Sequence, residues 1–131
     1  MNEKKNILVV FGTRPEVIKL APVILELRKH DEYNVIVCNT EQQKELSNQT
    51  LEYFGLKADI NLDCMRPNQP LAEIQSRILL SLDKVFNEQS IDATIVQGDT
   101  MTVLTGALVS FYHKVPVFHV EAGLRSYDIY E

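Results

Sequence analysis

The sequence has few cysteines, no excess of positive charge and no long hydrophobic run, and each shortage excludes a class of protein. Its 131 residues include 13 lysines and arginines against 18 aspartates and glutamates, which gives a formal net charge of -5. A protein that binds nucleic acid or an anionic membrane over a wide surface needs a net basic face. We therefore predict no nucleic-acid partner and no membrane partner, whereas a small phosphorylated ligand held by one or two cations fits this charge.

The two cysteines, Cys38 and Cys64, lack the spacing of a disulfide framework or of a metal site. Cys38 lies inside an apolar run, where a buried, reduced thiol is the common case. Reduced thiols are also the rule in the cytosol. We therefore predict free thiols in a cytoplasmic protein.

The apolar run at positions 7–11 is too short for the hydrophobic region of a secretory signal, and Gly12 and Arg14 follow it in place of a small-residue cleavage site. No later segment reaches the length needed to cross a bilayer. With 45% hydrophobic and 24% charged residues, the composition is that of a globular chain. These features predict one cytoplasmic domain over residues 1–131.

Apolar runs alternate along the chain with segments of helical period. The runs predict strands at 6–11, 35–38, 60–64, 93–97 and 115–120. The periodic segments predict helices at 15–30, 40–55, 71–86 and 102–113. Thr40 and Gln43 have the spacing of a capping box at the start of the second helix, Gly55 is placed to end it, and Pro70 suits the first turn of the third.

This alternation predicts an α/β fold with a doubly wound, Rossmann-like parallel sheet, because right-handed crossovers place helices on both faces. In the usual strand order 3-2-1-4-5, the first, fourth and fifth strands are neighbours. Ligands of such sheets bind outside the carboxyl ends of the strands, where the strand order reverses. Gly12, Gly98 and Gly123 follow these three strands, each in a segment that carries charge. We expect the three segments to share one crevice.

The first of these segments reads G-T-R-P-E at positions 12–16. Thr13 and Glu16 fit a capping box. Arg14 is harder to explain, because a cation beside the positive end of a helix dipole is disfavoured unless an anion lies between them. Free backbone N–H groups with a guanidinium form a phosphate site, but Arg14 pointing to water or pairing with a local carboxylate explains the position equally well. Lys19 lies five residues further on, off the face of Arg14, and a solvated helix lysine is its simpler interpretation.

Two carboxylates follow the fourth and fifth strands. Asp99 and Thr100 lie just before a helix, where an N-cap role of either residue competes with a role of Asp99 as acid or base at the rim of the crevice. Glu121 ends an apolar strand, where an unpaired charge is costly to bury. It can pair with Arg125 four residues on, or act as a catalytic carboxylate. His119 lies within the strand, and a hydrogen-bonded core histidine is favoured there over a catalytic one.

Signatures of other ligands are missing from the sequence. The first segment is not the G-x-G-x-x-G fingerprint of a dinucleotide site. The sequence has no Walker A pattern and no spacing typical of metal ligands. We therefore predict neither a cofactor nor a metal.

Taken together, G-T-R-P-E at 12–16 with Lys19, G-D-T at 98–100 and H-V-E-A-G-L-R at 119–125 resemble the non-hydrolysing UDP-N-acetylglucosamine 2-epimerases. The resemblance extends from Asn6 to the last residue. The hydrolysing relatives differ, since they start with G-S-R-A-E and carry a segment rich in histidine and glycine where this chain has residues 119–123.

The resemblance implies the N-terminal half of a GT-B-like fold, in which the substrate lies between two Rossmann-like domains. It implies interconversion of UDP-N-acetylglucosamine (UDP-GlcNAc) and UDP-N-acetylmannosamine (UDP-ManNAc), by elimination of UDP and its re-addition to the other face of a 2-acetamidoglucal. Arg14 would then bind the UDP moiety and Lys19 would be an active-site cation. Asp99 and Glu121 would be catalytic carboxylates, and the full-length protein would be a homodimer.

The chain departs from the family pattern in two respects. Family members are much longer and carry a further catalytic glutamate in a proline-glutamate-glutamate segment, which Glu131 falls short of. We therefore expect no C-terminal domain within these residues and no activity from the chain alone. At positions 40–44, T-E-Q-Q-K stands where bacterial members have T-G-Q-H-R or T-A-Q-H-R, so Gln43 replaces the histidine of a region that binds an activating UDP-GlcNAc in some members.

Two further hypotheses fit the same architecture. The chain can be half of a sugar-nucleotide glycosyltransferase, whose donor binds mainly to the other domain, so that Arg14, Asp99 and Glu121 would matter less. It can also be a binding module that retains only the fold.

Overall fold

A five-stranded parallel sheet with helices on both faces is formed by residues 3–121 and 126–130, which are the residues that this computed structural model describes. The elements follow one another as β1 (Lys5–Phe11), α1 (Arg14–Leu27), β2 (Tyr33–Asn39), α2 (Lys44–Tyr53), β3 (Ile60–Asn61), α3 (Leu71–Glu88), β4 (Ala93–Gln97), α4 (Met101–Tyr112) and β5 (Val117–Val120). The predicted α/β class is confirmed.

The strand order is β3-β2-β1-β4-β5, as the sequence predicts. Each neighbouring pair is parallel, so the carboxyl ends of β1, β4 and β5 lie at one edge of the sheet. The pairing of β4 with β5 ends where Gln97 meets Val120. The next residue, Gly98, donates its N–H to the carbonyl oxygen of Val120 at 3.2 Å. Glu121 therefore lies beside the turn that follows β4.

Alternate residues of the buried strands enter two separate hydrophobic layers. Val9 and Phe11 of β1 pack with α1 and α2 on one face of the sheet. Leu8 and Val10 pack with α3 and α4 on the other face. All four of these side chains are fully buried, as expected for a central strand covered on both faces. The two layers hold the carboxyl ends of the strands at a fixed position.

Helix α2 begins three residues later than the capping box at Thr40 and Gln43 predicts. It starts at Lys44, with Gln43 as its N-cap residue and no side-chain hydrogen bond at the cap. Thr40 is fully buried, and its hydroxyl lies 2.9 Å from the hydroxyl of Thr102 on α4. The Gln43 side chain accepts the N–H of Arg14 at 3.0 Å. Contacts between loops therefore use both side chains that the local pattern assigns to a cap.

Strand β4 has the predicted bounds, and the other helix and strand bounds differ from prediction by a few residues. Helix α1 ends at Leu27, before the predicted end at position 30, and Pro70 is the N-cap of α3 and does not lie in its first turn. Strand β3 is limited to two residues, and Asp63 shortly after it has a φ of 50°, which a strand does not tolerate. Lys114 has a φ of 59°, and β5 starts at Val117 after this turn.

Gly12, directly after β1, occupies a position that admits no side chain. A Cβ atom there would overlap Oγ1 of Thr40, and would lie 2.9 Å from Oγ1 of Thr102 and 3.0 Å from Cβ of Gln42. The absence of a Cβ lets the turns after β1 and β2 and the start of α4 approach one another. Thr102 also donates a hydrogen bond of 2.9 Å to Oε1 of Gln42. The turns after β1 and β2 and the start of α4 are thereby packed together at the carboxyl edge of the sheet.

Both cysteines are free, as predicted, and Cys64 is buried as well as Cys38. Burial raises the pKa of the Cys38 thiol and that of the Cys64 thiol. Among residues 3–121 and 126–130, no helix has both the length and the apolar character needed to span a bilayer. Over the same residues, no group of three or more His, Cys, Asp or Glu side chains is arranged to hold a metal ion.

Candidate functional site

A pocket of about 330 Å³ opens at the carboxyl ends of β1, β4 and β5. Its walls come from the turn after β1 and from α1, from the end of β4 with the following turn, and from β5. The lining residues are Thr13, Pro15, Glu16, Lys19, Gln97, Gly98, Asp99, Thr100, His119 and Glu121. The crevice predicted from the strand order therefore exists, and it contains Lys19, Asp99 and Glu121.

Glu121 is held from two sides. The ammonium of Lys19 contacts Oε2 of its carboxylate, and the side-chain amide of Gln97 donates a hydrogen bond of 2.5 Å to the same oxygen. The side chain of Glu121 is 31% exposed and that of Lys19 is 46% exposed, so both groups remain accessible from the pocket. The alternative of a solvated Lys19 is wrong, because the fold brings β5 beside α1.

The electrostatics of this pair favour an ionised carboxylate. The hydrogen bond from Lys19 is the main cause that lowers the pKa of Glu121. The charge of Lys19 and the hydrogen bond from Gln97 act in the same direction, and partial desolvation opposes them. Glu121 is therefore held in its ionised form, and its cationic neighbour reduces its basicity.

The backbone turns sharply at both places where β4 and β5 enter the pocket. Gly98 has a φ of 85° and Glu121 a φ of 60°. A non-glycine residue in this left-handed region costs about 1–2 kcal/mol. Residues held in such conformations cluster at functional sites, where the surrounding structure enforces them. Asp63 and Lys114 have the same conformation away from the pocket, so at Glu121 it shows a sharp turn after β5 and does not by itself indicate a function.

Glu16 is a buried carboxylate in the wall of the pocket, with 1% of its surface exposed. Its Oε2 accepts the N–H of Thr13 at 2.8 Å, the N–H of Gly12 at 3.2 Å and the hydroxyl of Thr13. Its Oε1 accepts the hydroxyl of Thr100 at 2.8 Å. The predicted capping box is confirmed, and the same side chain also joins the turn after β1 to the turn after β4.

These contacts change the phosphate-site hypothesis for the start of α1. The N–H of Thr13 is occupied by Glu16 and the N–H of Arg14 by Gln43, while Pro15 has no N–H. The first turn of α1 thus offers no free backbone donor of the kind that the hypothesis assumes. Helix α4 has no side-chain cap, and its N-cap residue, Thr100, lines the pocket. The uncapped start of α4 therefore offers backbone donors to an anion beside this pocket, where the first turn of α1 does not.

Arg14 is the one predicted site residue that does not line the pocket. Its neighbours Thr13 and Pro15 do, while Arg14 itself is exposed. Within residues 3–121 and 126–130 its guanidinium forms no ion pair, so the alternative of a pair with a local carboxylate is wrong. A solvated guanidinium beside the pocket is what the structure provides.

Asp99 lies on the rim of the pocket and is exposed. Of the two residues that the sequence offers as the N-cap of α4, Thr100 occupies that position and Asp99 does not. Asp99 is therefore available to a ligand.

His119 is an exposed residue in the lining of the pocket, and the expectation of a core histidine is wrong. Because β5 is the edge strand of the sheet, one of its faces remains open. The imidazole Nε2–H of His119 donates a hydrogen bond of 2.6 Å to the carbonyl oxygen of Gly98. This bond fixes the turn that carries Asp99. The expected partner of Glu121, Arg125, and the predicted Gly123 lie outside the described residues.

Sequence reasoning missed Gln97 and the second role of Glu16. Gln97 is the last residue of a strand that is otherwise apolar apart from Thr94, and it is 4% exposed. A buried amide at the carboxyl end of a strand needs a hydrogen-bond partner, and this requirement is the signal that points to the pocket. The contact of Glu16 with Thr100 spans 84 positions and has no local signature.

Comparison with known proteins agrees with this geometry. A family model described as UDP-N-acetylglucosamine 2-epimerase matches residues 25–131. The UDP-N-acetylglucosamine 2-epimerase of Neisseria meningitidis serogroup A is 50% identical over 124 residues, which are 95% of this chain and 33% of that protein. The enzyme of Bacillus subtilis is 44% identical over 128 residues, which are 98% of this chain and 34% of that protein.

Solved structures give the same result. The crystal structure of the Neisseria meningitidis enzyme bound to UDP-GlcNAc superposes with a TM-score of 0.88 at 50% identity, and covers 95% of this chain and 34% of that chain. The Methanocaldococcus jannaschii enzyme in complex with UDP-GlcNAc and UDP gives a TM-score of 0.85 at 37% identity, over 94% of this chain and 34% of that one. The chain spans about a third of the length of these relatives. The family model matches most of the chain and the fold superposes on solved structures of these enzymes, so the chain belongs to the UDP-N-acetylglucosamine 2-epimerase family.

Proposed function

We propose that this chain is the N-terminal part of a non-hydrolysing UDP-N-acetylglucosamine 2-epimerase. In this proposal Asp99 and Glu121 exchange protons with the sugar, while Arg14 and Lys19 bind the UDP moiety. The observation that carries the proposal is that Lys19, Asp99 and Glu121 line one pocket in a chain whose relatives include an enzyme solved with UDP-GlcNAc bound. Family membership favours this function over a glycosyltransferase and over a binding module.

The chemistry needs a base against a weakly acidic proton at C2 of the sugar. As the base takes this proton, the C–H electron pair forms the double bond between C1 and C2. The bond from C1 to the UDP oxygen breaks, and its electron pair leaves on UDP. Return of a proton to the opposite face of C2, with attack of the UDP oxygen on C1, completes the epimerisation. Two faces are involved, which is why the site needs more than one acid-base group.

The contact between Lys19 and Glu121 couples substrate binding to the basicity of the Glu121 carboxylate. Without a ligand, Lys19 keeps the pKa of Glu121 low and makes it a weak base. A diphosphate in the pocket competes for the ammonium, which is 46% exposed and sits on a flexible side chain. When Lys19 moves to the diphosphate, the pKa of Glu121 rises and its basicity increases. The same cation then stabilises the charge that develops on the departing UDP.

Arg14 fits a role that begins only when substrate is present. Its guanidinium is exposed and has no ion-pair partner within residues 3–121 and 126–130, so binding an anion breaks no existing ion pair. Guanidinium groups bind phosphate oxygens in bidentate geometry. We propose that Arg14 turns over the pocket edge formed by Thr13 and Pro15 to reach the diphosphate.

The remaining parts of the proposal concern the whole protein. The relatives are about three times as long as this chain, and we propose that a second Rossmann-like domain closes the pocket and supplies further acid-base groups. We therefore expect no epimerase activity from residues 1–131 alone. We further propose a cytoplasmic homodimer without a nucleic-acid partner, in keeping with the net charge of -5.

The proposal is tested with the full-length parent protein and UDP-GlcNAc in deuterium oxide. We expect UDP-ManNAc to form, with deuterium at C2 of the product, because the base exchanges its proton with solvent between the two half-reactions. Asp99→Asn and Glu121→Gln should each reduce kcat by roughly 100-fold or more, the usual worth of a positioned acid or base. Arg14→Ala should raise KM and leave the fold intact. An inert parent protein, or a product without deuterium at C2, would overturn the proposal.

A further inference from the structure

Glu121 presents two unequal carboxylate oxygens. Both protein donors, the ammonium of Lys19 and the amide of Gln97, bind Oε2. Oε1 has no hydrogen-bond partner in the part of the chain that the structure describes. One oxygen is therefore held by the protein, and the other is left for a ligand in the pocket.

The two donors differ in how firmly they are fixed. Lys19 approaches from α1 on a long side chain that is 46% exposed. Gln97 is the last residue of β4, between β1 and β5, and is 4% exposed. Because its backbone is paired opposite Val120, Gln97 keeps its place relative to Glu121 whenever the sheet is intact. Gln97 is thus the partner that remains if an anionic ligand draws Lys19 away.

The orientation of the Gln97 amide follows from the chemistry of its partner. A carboxylate only accepts hydrogen bonds, so the NH2 end of the amide must face Glu121. A neutral donor at 2.5 Å orients the carboxylate without adding a charge. A second cation in this place would make Glu121 a still weaker base, since opposite charges nearby lower the pKa of a carboxyl group.

We propose that Gln97 is a positioning residue, which holds Oε2 of Glu121 and so makes Oε1 the oxygen that exchanges a proton with the substrate. This inference rests on the proposed function for the identity of the reaction, whereas the contact between Gln97 and Glu121 stands on the geometry alone. A misplacement of about 1 Å at a reacting group costs on the order of 100-fold in rate. Loss of the Gln97 amide therefore acts on kcat more than on substrate binding.

The experiment compares three variants. Gln97→Met has a side chain of similar length without a donor, and Gln97→Glu keeps the shape while placing a like charge against Glu121. Thr94→Val is the matched control, because Thr94 is a fully buried polar residue of the same strand whose side chain bonds Ser110 away from the pocket. Carbon-13 NMR titration of the Glu121 carboxyl in the 131-residue chain is the first readout, and kcat and KM of the full-length parent are the second.

We expect Gln97→Met to shift the titration of Glu121 to higher pH, because Lys19 is then the only group that opposes the effect of desolvation. Gln97→Glu should shift the titration further, because it also places a negative charge beside Glu121. The other titratable groups of the pocket besides Lys19, which are Asp99, Glu16 and His119, are unchanged in all three variants. Thr94→Val should leave the titration where it is. In the parent, Gln97→Met should lower kcat by about 10- to 100-fold with little change in KM.

Two results would overturn the proposal: a titration of Glu121 that is unchanged in both Gln97 variants, or a fall in kcat for Gln97→Met no larger than that for Thr94→Val. A parent protein that does not epimerise at all would overturn the proposed function instead, and the titration would still decide whether Gln97 holds the carboxylate. Gln97→Glu retains the shape of the native side chain, so the titration remains measurable if Gln97→Met does not fold.

Discussion

The ammonium of Lys19 contacts the carboxylate of Glu121 across 102 positions of sequence. This pair joins the first helix to the end of the last strand of the sheet. It gives the pocket one positive and one negative group in direct contact before any ligand enters. The pair is therefore the most direct place to test whether the pocket is tuned for proton transfer.

Replacement of Lys19 by Met should raise the pKa of Glu121 towards its ordinary range, because the largest cause that lowers it is removed. Lys19→Arg retains the positive charge and should keep the pKa low. Carbon-13 NMR titration of the Glu121 carboxyl in both variants measures the effect. An equal pKa in Lys19→Met and in the unaltered chain would contradict the contact.

The same contact predicts a pH dependence of stability. The pKa of Glu121 is lower in the folded chain than in the unfolded one, so the pair stabilises the fold fully at any pH above the unfolded value. The contribution disappears as the pH falls through the folded value. The free energies of unfolding of the unaltered chain and Lys19→Met should therefore differ at neutral pH and converge in acid. Because both groups are partly exposed, the difference should be small and should shrink further in high salt.

Gly12→Ala should destabilise the fold by about 1–3 kcal/mol or more, because the new Cβ would overlap Oγ1 of Thr40. Urea unfolding measures the loss. Addition of Thr40→Ala removes the closest atom and should recover part of it, although Thr40→Ala alone is destabilising through its lost contact with Thr102. Gly55→Ala is the control, since Gly55 has a φ of 70° and an added methyl group would meet no atom within 4 Å, and Thr40→Ala should not rescue it.

Glu16→Ala should cost on the order of 3 kcal/mol, because it leaves the buried N–H groups of Gly12 and Thr13 without an acceptor. Glu16→Gln should cost only about 1 kcal/mol, since its amide oxygen can still accept these N–H groups and its NH2 can donate to the hydroxyl of Thr100. Urea unfolding of the two variants gives the comparison. Equal losses would show that the hydrogen bonds of Glu16 do not determine its contribution.

The thiols of Cys38 and Cys64 should resist a disulfide reagent at a pH of about 8 while the chain is folded. Both side chains are fully buried, and burial raises the pKa of each, so little thiolate is present and none is accessible. In concentrated guanidinium the same reagent should titrate two thiols per chain, which serves as the control. Rapid reaction of the folded chain would contradict the buried positions of the two residues.

The sheet could be predicted from the sequence because its signals are local. The apolar run at Ala93–Gln97 coincides residue for residue with β4. The alternation of such runs with segments of helical period predicts a parallel sheet in the observed strand order. The start of α2 could not be predicted in this way. Its pattern at Thr40 satisfies the rules of a cap, but the hydroxyl is used by Thr102, which lies 62 positions away.

For the site, too, local signals could be predicted from the sequence, whereas contacts between distant residues could not. Asp99 and Glu121 directly follow β4 and β5, and this position predicts that they lie at the site, because parallel strands bring their carboxyl ends together. It gives no information on what each carboxylate contacts. Helical spacing separates Lys19 from Arg14, but it gives no information on β5, and the contact of Lys19 with Glu121 after β5 depends on the tertiary fold. The roles of Arg14, Lys19, Asp99 and Glu121 thus remain predictions for the experiments above.

The strand order also has a consequence for how the pocket forms during synthesis. The central strand, β1, is made first, and its neighbour β4 becomes available only after more than 80 further residues have been added. β5 comes later still. A growing chain on the ribosome can thus assemble β1 with α1 and β2 while Lys19 and Glu16 lack their distant partners. Completion of the pocket is therefore among the last events of folding in this segment, because contacts of high sequence separation form late.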